Sequence, residues 1–181
     1  DVPVIEDACQ SLGTIYNNKH TGTMGKLGCY SFYPGKVITT GEGCMVVTNS
    51  VTLYKHLLMI RNHGMIKGYD SKILGLNLRM TEISAAIGVV QMKRLPVFIR
   101  RRRENALYLS HLLNELINKS EYELIYPIES KHEARNNALY TITVQVAKRD
   151  GIIKALNKAG YGAAVYYPTP VHKLPLYKEE G

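Results

Sequence analysis

The chain has 181 residues, 45% of them hydrophobic and 21% charged, which is enough apolar content to bury a core in one large domain or two small ones. No apolar run approaches the ~20 residues that a membrane-spanning helix requires, and no basic-then-apolar leader opens the sequence, so a soluble, cytoplasmic protein with no membrane partner is expected. The formal net charge is +8, but its densest cluster, Arg100 to Arg103, lies in one stretch of helical pattern without interleaved aromatics; it reads as a solvated helix face or an attraction for phosphorylated small molecules, not as a nucleic-acid surface.

In chain order, Val2 to Ile5 read as a short buried strand, and Glu6 to Gln10 then turn toward helix. Gly28 to Phe32 and Cys44 to Thr48 read as two further strands with a glycine-rich, lysine-bearing loop between them. Leu53, Leu57 and Ile60 recur at helical spacing, with Asn49 or Ser50 as cap and Gly64 as stop. Ile83, Ile87 and Val90 form a second helical stripe that Pro96 is expected to kink or end, and Ala106, Leu109, Leu113 and Leu116 a third. Tyr140 to Ala147 alternate as a half-buried strand does. Ile152 to Ala159 predict a helix ended by Gly160, and Ala163 to Tyr167 a last strand. The pattern is α/β, with a boundary expected near residue 96. Because it starts at Asp1 within an apolar run and stops after a proline-rich extended segment, the chain reads as an excerpt.

The three cysteines, Cys9, Cys29 and Cys44, are odd in number and lack C-x-x-C spacing, which favours neither a disulfide framework nor a metal site. The loop CYSFYPGKVITTGEGC, residues 29–44, carries Lys36 among Gly35, Gly41 and Gly43, where backbone can approach a ligand closely. A phosphate-cradling G-x-x-x-x-G-K-[ST] loop is excluded, since Pro34-Gly35 precede the lysine and Val37 follows it. The remaining chemistry of such an amine is covalent: a Schiff base with an aldehyde, for which pyridoxal phosphate is the usual partner. That cofactor requires a carboxylate at its pyridine nitrogen and donors for its phenolic oxygen and phosphate. In VIEDACQSLG, residues 4–13, Asp7 stands at a strand end and Gln10 three residues later, expected on the same face of a helical turn. The alternative for this pair is a helix cap and a surface residue.

Together, VIEDACQSLG, TGTMGKLGCYSFYPGKVITTGEGCMVVTN and GLNLRMTEISAAIGVVQMKRL resemble the DegT/DnrJ/StrS-type sugar aminotransferases, and VYYPTPVHKLPLY extends the resemblance over nearly the whole chain. The resemblance implies part of a type I pyridoxal-phosphate transferase fold: residues 1–95 the C-terminal part of the large cofactor-binding domain, and 96–181 a linking helix and an incomplete small domain. It implies Lys36 as the Schiff-base lysine, Asp7 at the pyridine nitrogen, Gln10 at the phenolic oxygen and Ser31 at the phosphate. Asn77 would reach the neighbouring subunit's phosphate in a homodimer with a shared active site. The implied reaction moves an amino group from glutamate to the keto group of a nucleotide-linked sugar. A lysine at position 36 argues against the family's dehydratase branch, where histidine is expected. Arg79 and His172 are candidates for the donor's carboxylate and for the sugar or its diphosphate. Cys44 stands where a second glycine is expected, and Cys9 and Ser11 where alanines are common; all are small, so the cofactor geometry is expected to hold, with the space behind the loop narrowed at Cys44 at most. The aromatic ring and the phosphate-binding helix N-terminus that the family places before Asp7 are not in these residues. The rival readings are a non-catalytic sensing or regulatory protein on the same fold, and another pyridoxal-phosphate reaction on a small cyclic ketone or an amino acid.

Overall fold

A computed structural model of the protein describes residues 2–118, 125–144 and 146–178. Three strands make its main sheet: β1 (Ile5–Asp7) runs parallel to β4 (Leu27–Ser31), which pairs antiparallel with β5 (Cys44–Val47). Ile5 lies beside Leu27 and Asp7 beside Cys29, while Ser31 faces Cys44. The strand expected at Val2 to Ile5 thus begins later, at the edge of this sheet, and it is not buried: Val2, Val4 and Ile5 are all exposed.

The connection from β1 to β4 holds a hairpin that the sequence pattern did not announce. Its strands are β2 (Ile15–Tyr16) and β3 (Lys19–His20). Asn17 and Asn18 take positive φ values of 46° and 61°, the two left-handed residues of a type I′ turn, which asparagine tolerates. A third short strand, β6 (Glu133–Ala134), adds antiparallel to β2.

Helix α1 (Val51–Arg61) starts where expected, with Ser50 Oγ accepting the Leu53 N–H at 3.3 Å. Helix α2 (Glu82–Ile117) is capped by Thr81 and continues for 36 residues through Pro96. Of the two outcomes expected at the proline, a kink or an end, the end does not occur, although an interior proline costs a helix about 3 kcal/mol. Core packing on both sides of it supplies the compensation: Leu95 and Ile99 are buried against Phe32, Val37 and Ile38, with Leu12, Met80, Phe98 and Ala138 around them. The two helical stripes read on either side of residue 96 therefore belong to one helix.

Contacts divide the chain into two units, residues 1–119 with 126–141, and residues 120–125 with 142–181. In the second, α3 (Val146–Lys158) occupies the end of the segment read as a strand from Tyr140. Only an isolated bridge, Thr143 with Ile125, is present there among the described residues; alternation alone does not make a strand without a partner for its backbone. The strand expected at Ala163 to Tyr167 is also absent. Asn157 takes both backbone groups of Ala163, at 2.9 and 3.1 Å, and Tyr167 has φ 58°, which breaks an extended run. A 3-10 turn (Val171–Lys173) and α4 (Pro175–Lys178) close the unit. Among the described residues no helix is long and apolar enough to cross a membrane.

Candidate active site

Parallel β1 and β4 bring their carboxyl ends side by side, the place where α/β sheets gather their sites. Asp7 is the last residue of β1. The chain after it does not enter a helix, as the sequence reading expected, but a turn: the Cys9 N–H donates to Asp7 Oδ1 at 3.1 Å and the Ser11 N–H to the Ala8 carbonyl at 3.0 Å. Asp7 and Gln10 are thus related by an aspartate-closed turn, because the short carboxylate competes for local backbone N–H groups. The Cys9 thiol and backbone N–H hold the Asp7 carboxyl below its ordinary value, with the Lys36 charge adding to them. Burial and the neighbouring carboxylate push the Cys9 thiol up to about 11, so it is a proton donor and not a thiolate at neutral pH.

From the end of β4 the lysine loop folds back on itself. The Lys36 N–H donates to the Tyr33 carbonyl at 2.9 Å, and the Thr40 N–H and Thr39 hydroxyl both donate to the Phe32 carbonyl, at 3.1 and 2.8 Å. Gly41 requires its lack of a side chain, at φ 84°, whereas Gly35 does not, since an added Cβ would make ordinary contact with the Tyr33 ring at 3.6 Å. Val37 and Ile38 are buried immediately after the lysine and fix its backbone. The half-buried Lys36 then sends its Nζ to Gln10 Oε1, a 2.8 Å hydrogen bond between the loops that follow the two parallel strands. Ser31, at the end of β4, accepts the Tyr33 N–H at 3.3 Å and keeps its own hydroxyl proton to donate. Cys44 is exposed.

Asn77 and Arg79 form a second cluster. Arg79 donates to the side-chain oxygens of Asn77 at 3.0 Å and Asn62 at 3.3 Å. It makes no ion pair among the described residues, and with Lys55 and Arg61 it lines a cavity of about 870 Å³ that contains no carboxylate. His172 is an exposed residue of the 3-10 turn in the second unit.

Three features escaped the sequence reading. Glu6 accepts the backbone N–H groups of Gly22, Met24 and Gly25 at 2.6, 2.6 and 2.5 Å. Burial raises its carboxyl, but the three bonds together outweigh that and hold it below its ordinary value. Asn136, only 5% exposed, donates from Nδ2 to the carbonyls of Gln10 and Leu12 at 2.9 and 3.0 Å. Arg102 and Arg103 spend their guanidinium groups on the carbonyls of residues 134, 135, 137 and 138, so half of the basic cluster is not a solvated face.

The donor set at the two strand ends matches what pyridoxal phosphate demands: an amine for the aldehyde, a carboxylate held ionised for the ring nitrogen, an amide and a hydroxyl. The sequence model of the DegT/DnrJ/EryC1/StrS aminotransferase family matches residues 1–181. The GDP-perosamine synthase of Escherichia coli O157:H7 is 36% identical over 181 residues, covering 98% of this chain and 47% of that protein. A protein of Geobacillus stearothermophilus named "pleiotropic regulatory protein" is 34% identical over 179 residues, again 98% of this chain and 47% of the other. Among solved structures, Helicobacter pylori PseC, described as an aminotransferase involved in the biosynthesis of pseudoaminic acid, superposes with a TM-score of 0.84 at 30% identity, covering 98% of this chain and 48% of that one. The chain spans about half the length of the curated relatives it matches.

Proposed function

The chain belongs to the DegT/DnrJ/EryC1/StrS aminotransferase family, and from that premise we propose that the whole protein is a cytoplasmic, pyridoxal-phosphate-dependent aminotransferase that moves an amino group from glutamate to the keto group of a nucleotide-linked sugar. The observation that carries this reading is the 2.8 Å contact of Lys36 Nζ with Gln10 Oε1 beside the ionised Asp7. On it, residues 1–95 end a large cofactor-binding domain, and residues 96–181 are a linking helix and part of a small domain.

When bound, pyridoxal phosphate supplies an aldehyde and a ring that draws electrons from the substrate's α-carbon. Lys36 would hold the aldehyde through Nζ, and its amine, when free, would move a proton between the donor's α-carbon and the carbon that carries the aldehyde. Asp7 keeps the ring nitrogen protonated, Gln10 bonds the phenolic oxygen and Ser31 the phosphate. Arg79, whose charge meets only amide oxygens among the described residues, receives the donor's carboxylate by a bidentate contact. Asn77 serves the phosphate of the neighbouring subunit in a homodimer, and His172 the sugar or its diphosphate.

The test is formation of 2-oxoglutarate from glutamate by the cofactor-loaded full-length protein. Wild type yields about one equivalent per site, since no acceptor is needed for this half of the exchange; Lys36→Ala and Asn77→Ala each lose most of it. Mixed and re-equilibrated, the two variants regain part, because one site of each mixed dimer is intact. No product from folded wild type sinks the catalytic reading, and no recovery on mixing removes Asn77 from the partner's site. The Geobacillus relative's name favours a second reading, a regulatory protein on this fold; it predicts no 2-oxoglutarate.

A further inference from the structure

Both partners of the Lys36–Gln10 contact are referred to one helix. On the lysine side, Val37 and Ile38 pack directly on Leu95 and Ile99 of α2. One turn further along α2, Arg102 and Arg103 bind the carbonyls of residues 134, 135, 137 and 138, with the two Arg103 bonds at 2.6 Å. Between those four clamped carbonyls stands Asn136. Its side-chain oxygen accepts the Ala138 N–H at 3.0 Å, its own N–H donates to Thr14 Oγ1 at 3.1 Å, and its Nδ2 donates to the carbonyls of Gln10 and Leu12. A buried amide with every group committed fixes backbone more firmly than it stabilises it, because any shift leaves a desolvated donor unpaired.

We propose that Asn136 is a positioning residue that holds the Gln10 turn against Lys36, so that helix α2 sets the two sides of the site in register. It touches neither the amine nor the cofactor-binding atoms assigned above; it acts through the main chain of Gln10. The consequence for amino transfer rests on the function proposed above, whereas the positioning itself is testable without any cofactor.

The experiment compares the full-length apoprotein with Asn136→Ala, Asn136→Ser, Gln10→Ala and the double variant Gln10→Ala/Asn136→Ala. The readout is the rate at which acetic anhydride acetylates Lys36, followed by peptide mass spectrometry with exposed lysines as internal standards. Loss of the Gln10 contact frees Nζ, so Gln10→Ala and Asn136→Ala each speed labelling by about fivefold, the worth of one net hydrogen bond. The double variant is no faster than Gln10→Ala alone, the non-additivity of a residue that works through another. Cofactor affinity, measured separately, falls in the same non-additive pattern. Unchanged Lys36 labelling in a folded Asn136 variant, or additive effects in the double variant, overturns the proposal. Loss of folding in both Asn136 variants assigns the residue to the core alone and overturns it too. Failure of the wild type to bind pyridoxal phosphate, with the labelling pattern intact, counts against the proposed function and leaves the positioning standing.

Discussion

At the scale of single residues, side chains at the candidate site are governed by who donates to them. Asp7 and Glu6 are adjacent in sequence and both are held below their ordinary values, but the first is exposed beside an amine and the second is closed over by three backbone N–H groups. Glu6→Gln tests the second directly. Because its folded-state value is lowered, the carboxylate's contribution is fully present above the unfolded value and is lost as pH falls through the folded one. The variant is therefore expected to be about 1–2 kcal/mol less stable than wild type at pH 7, and the gap to close as pH drops below about 4. Urea denaturation at several pH values reads this; a gap that stays constant with pH would rule out the ionised form as its source. Lys36, Asp7 and Gln10 were singled out because their types and spacing carry chemistry, and the structure brings the three together. Glu6 and Asn136 were not singled out, since each binds main chain 16 or more positions away, Asn136 besides its local bond to Ala138, and any polar side chain can do that.

At the scale of elements, local pattern was reliable where the element is self-sufficient and misleading where it depends on partners. Helix α1 and its Ser50 cap were read correctly, as hydrogen bonds within one segment decide them. An end at Pro96, one of the two outcomes expected there, was not, because distant core residues on either side of the proline outweigh its local penalty. The strand expected from Tyr140 failed for the converse reason, alternation without a ladder among the described residues, and the one expected from Ala163 because Asn157 takes the backbone groups of Ala163. The basic cluster of α2 shows the same dependence on partners. Arg103→Ala removes two charge-assisted bonds to the backbone beside β6 and is expected to cost about 1.5–3 kcal/mol. Arg100, whose exposed partner Glu104 lies 3.8 Å away, is expected to cost under about 0.5 kcal/mol when replaced by alanine. Midpoints of urea unfolding at unchanged m-value separate the two. Equal losses would mean that the carbonyl clamp contributes nothing beyond surface charge.

At the scale of the whole molecule, the fold class and family were legible because three ordered motifs within residues 4–95, with a further segment at residues 165–177, carry the resemblance, whereas the sheet's burial was not. Ile5, Leu74, Ile83 and Val89 stand 60% or more exposed, and the chain spans about half the length of its curated relatives. Experiments on the site therefore belong on the full-length protein. The central claim is that Lys36 is the residue that takes the cofactor, and borohydride reduction of that protein after incubation with pyridoxal phosphate tests it most directly. Reduction makes the lysine linkage permanent, and peptide mass spectrometry then finds the pyridoxyl group. The label is expected on Lys36 in the peptide around PGKVITTGEG, with none in Lys36→Ala. Label on a different lysine, or none on a folded wild-type protein, would contradict it.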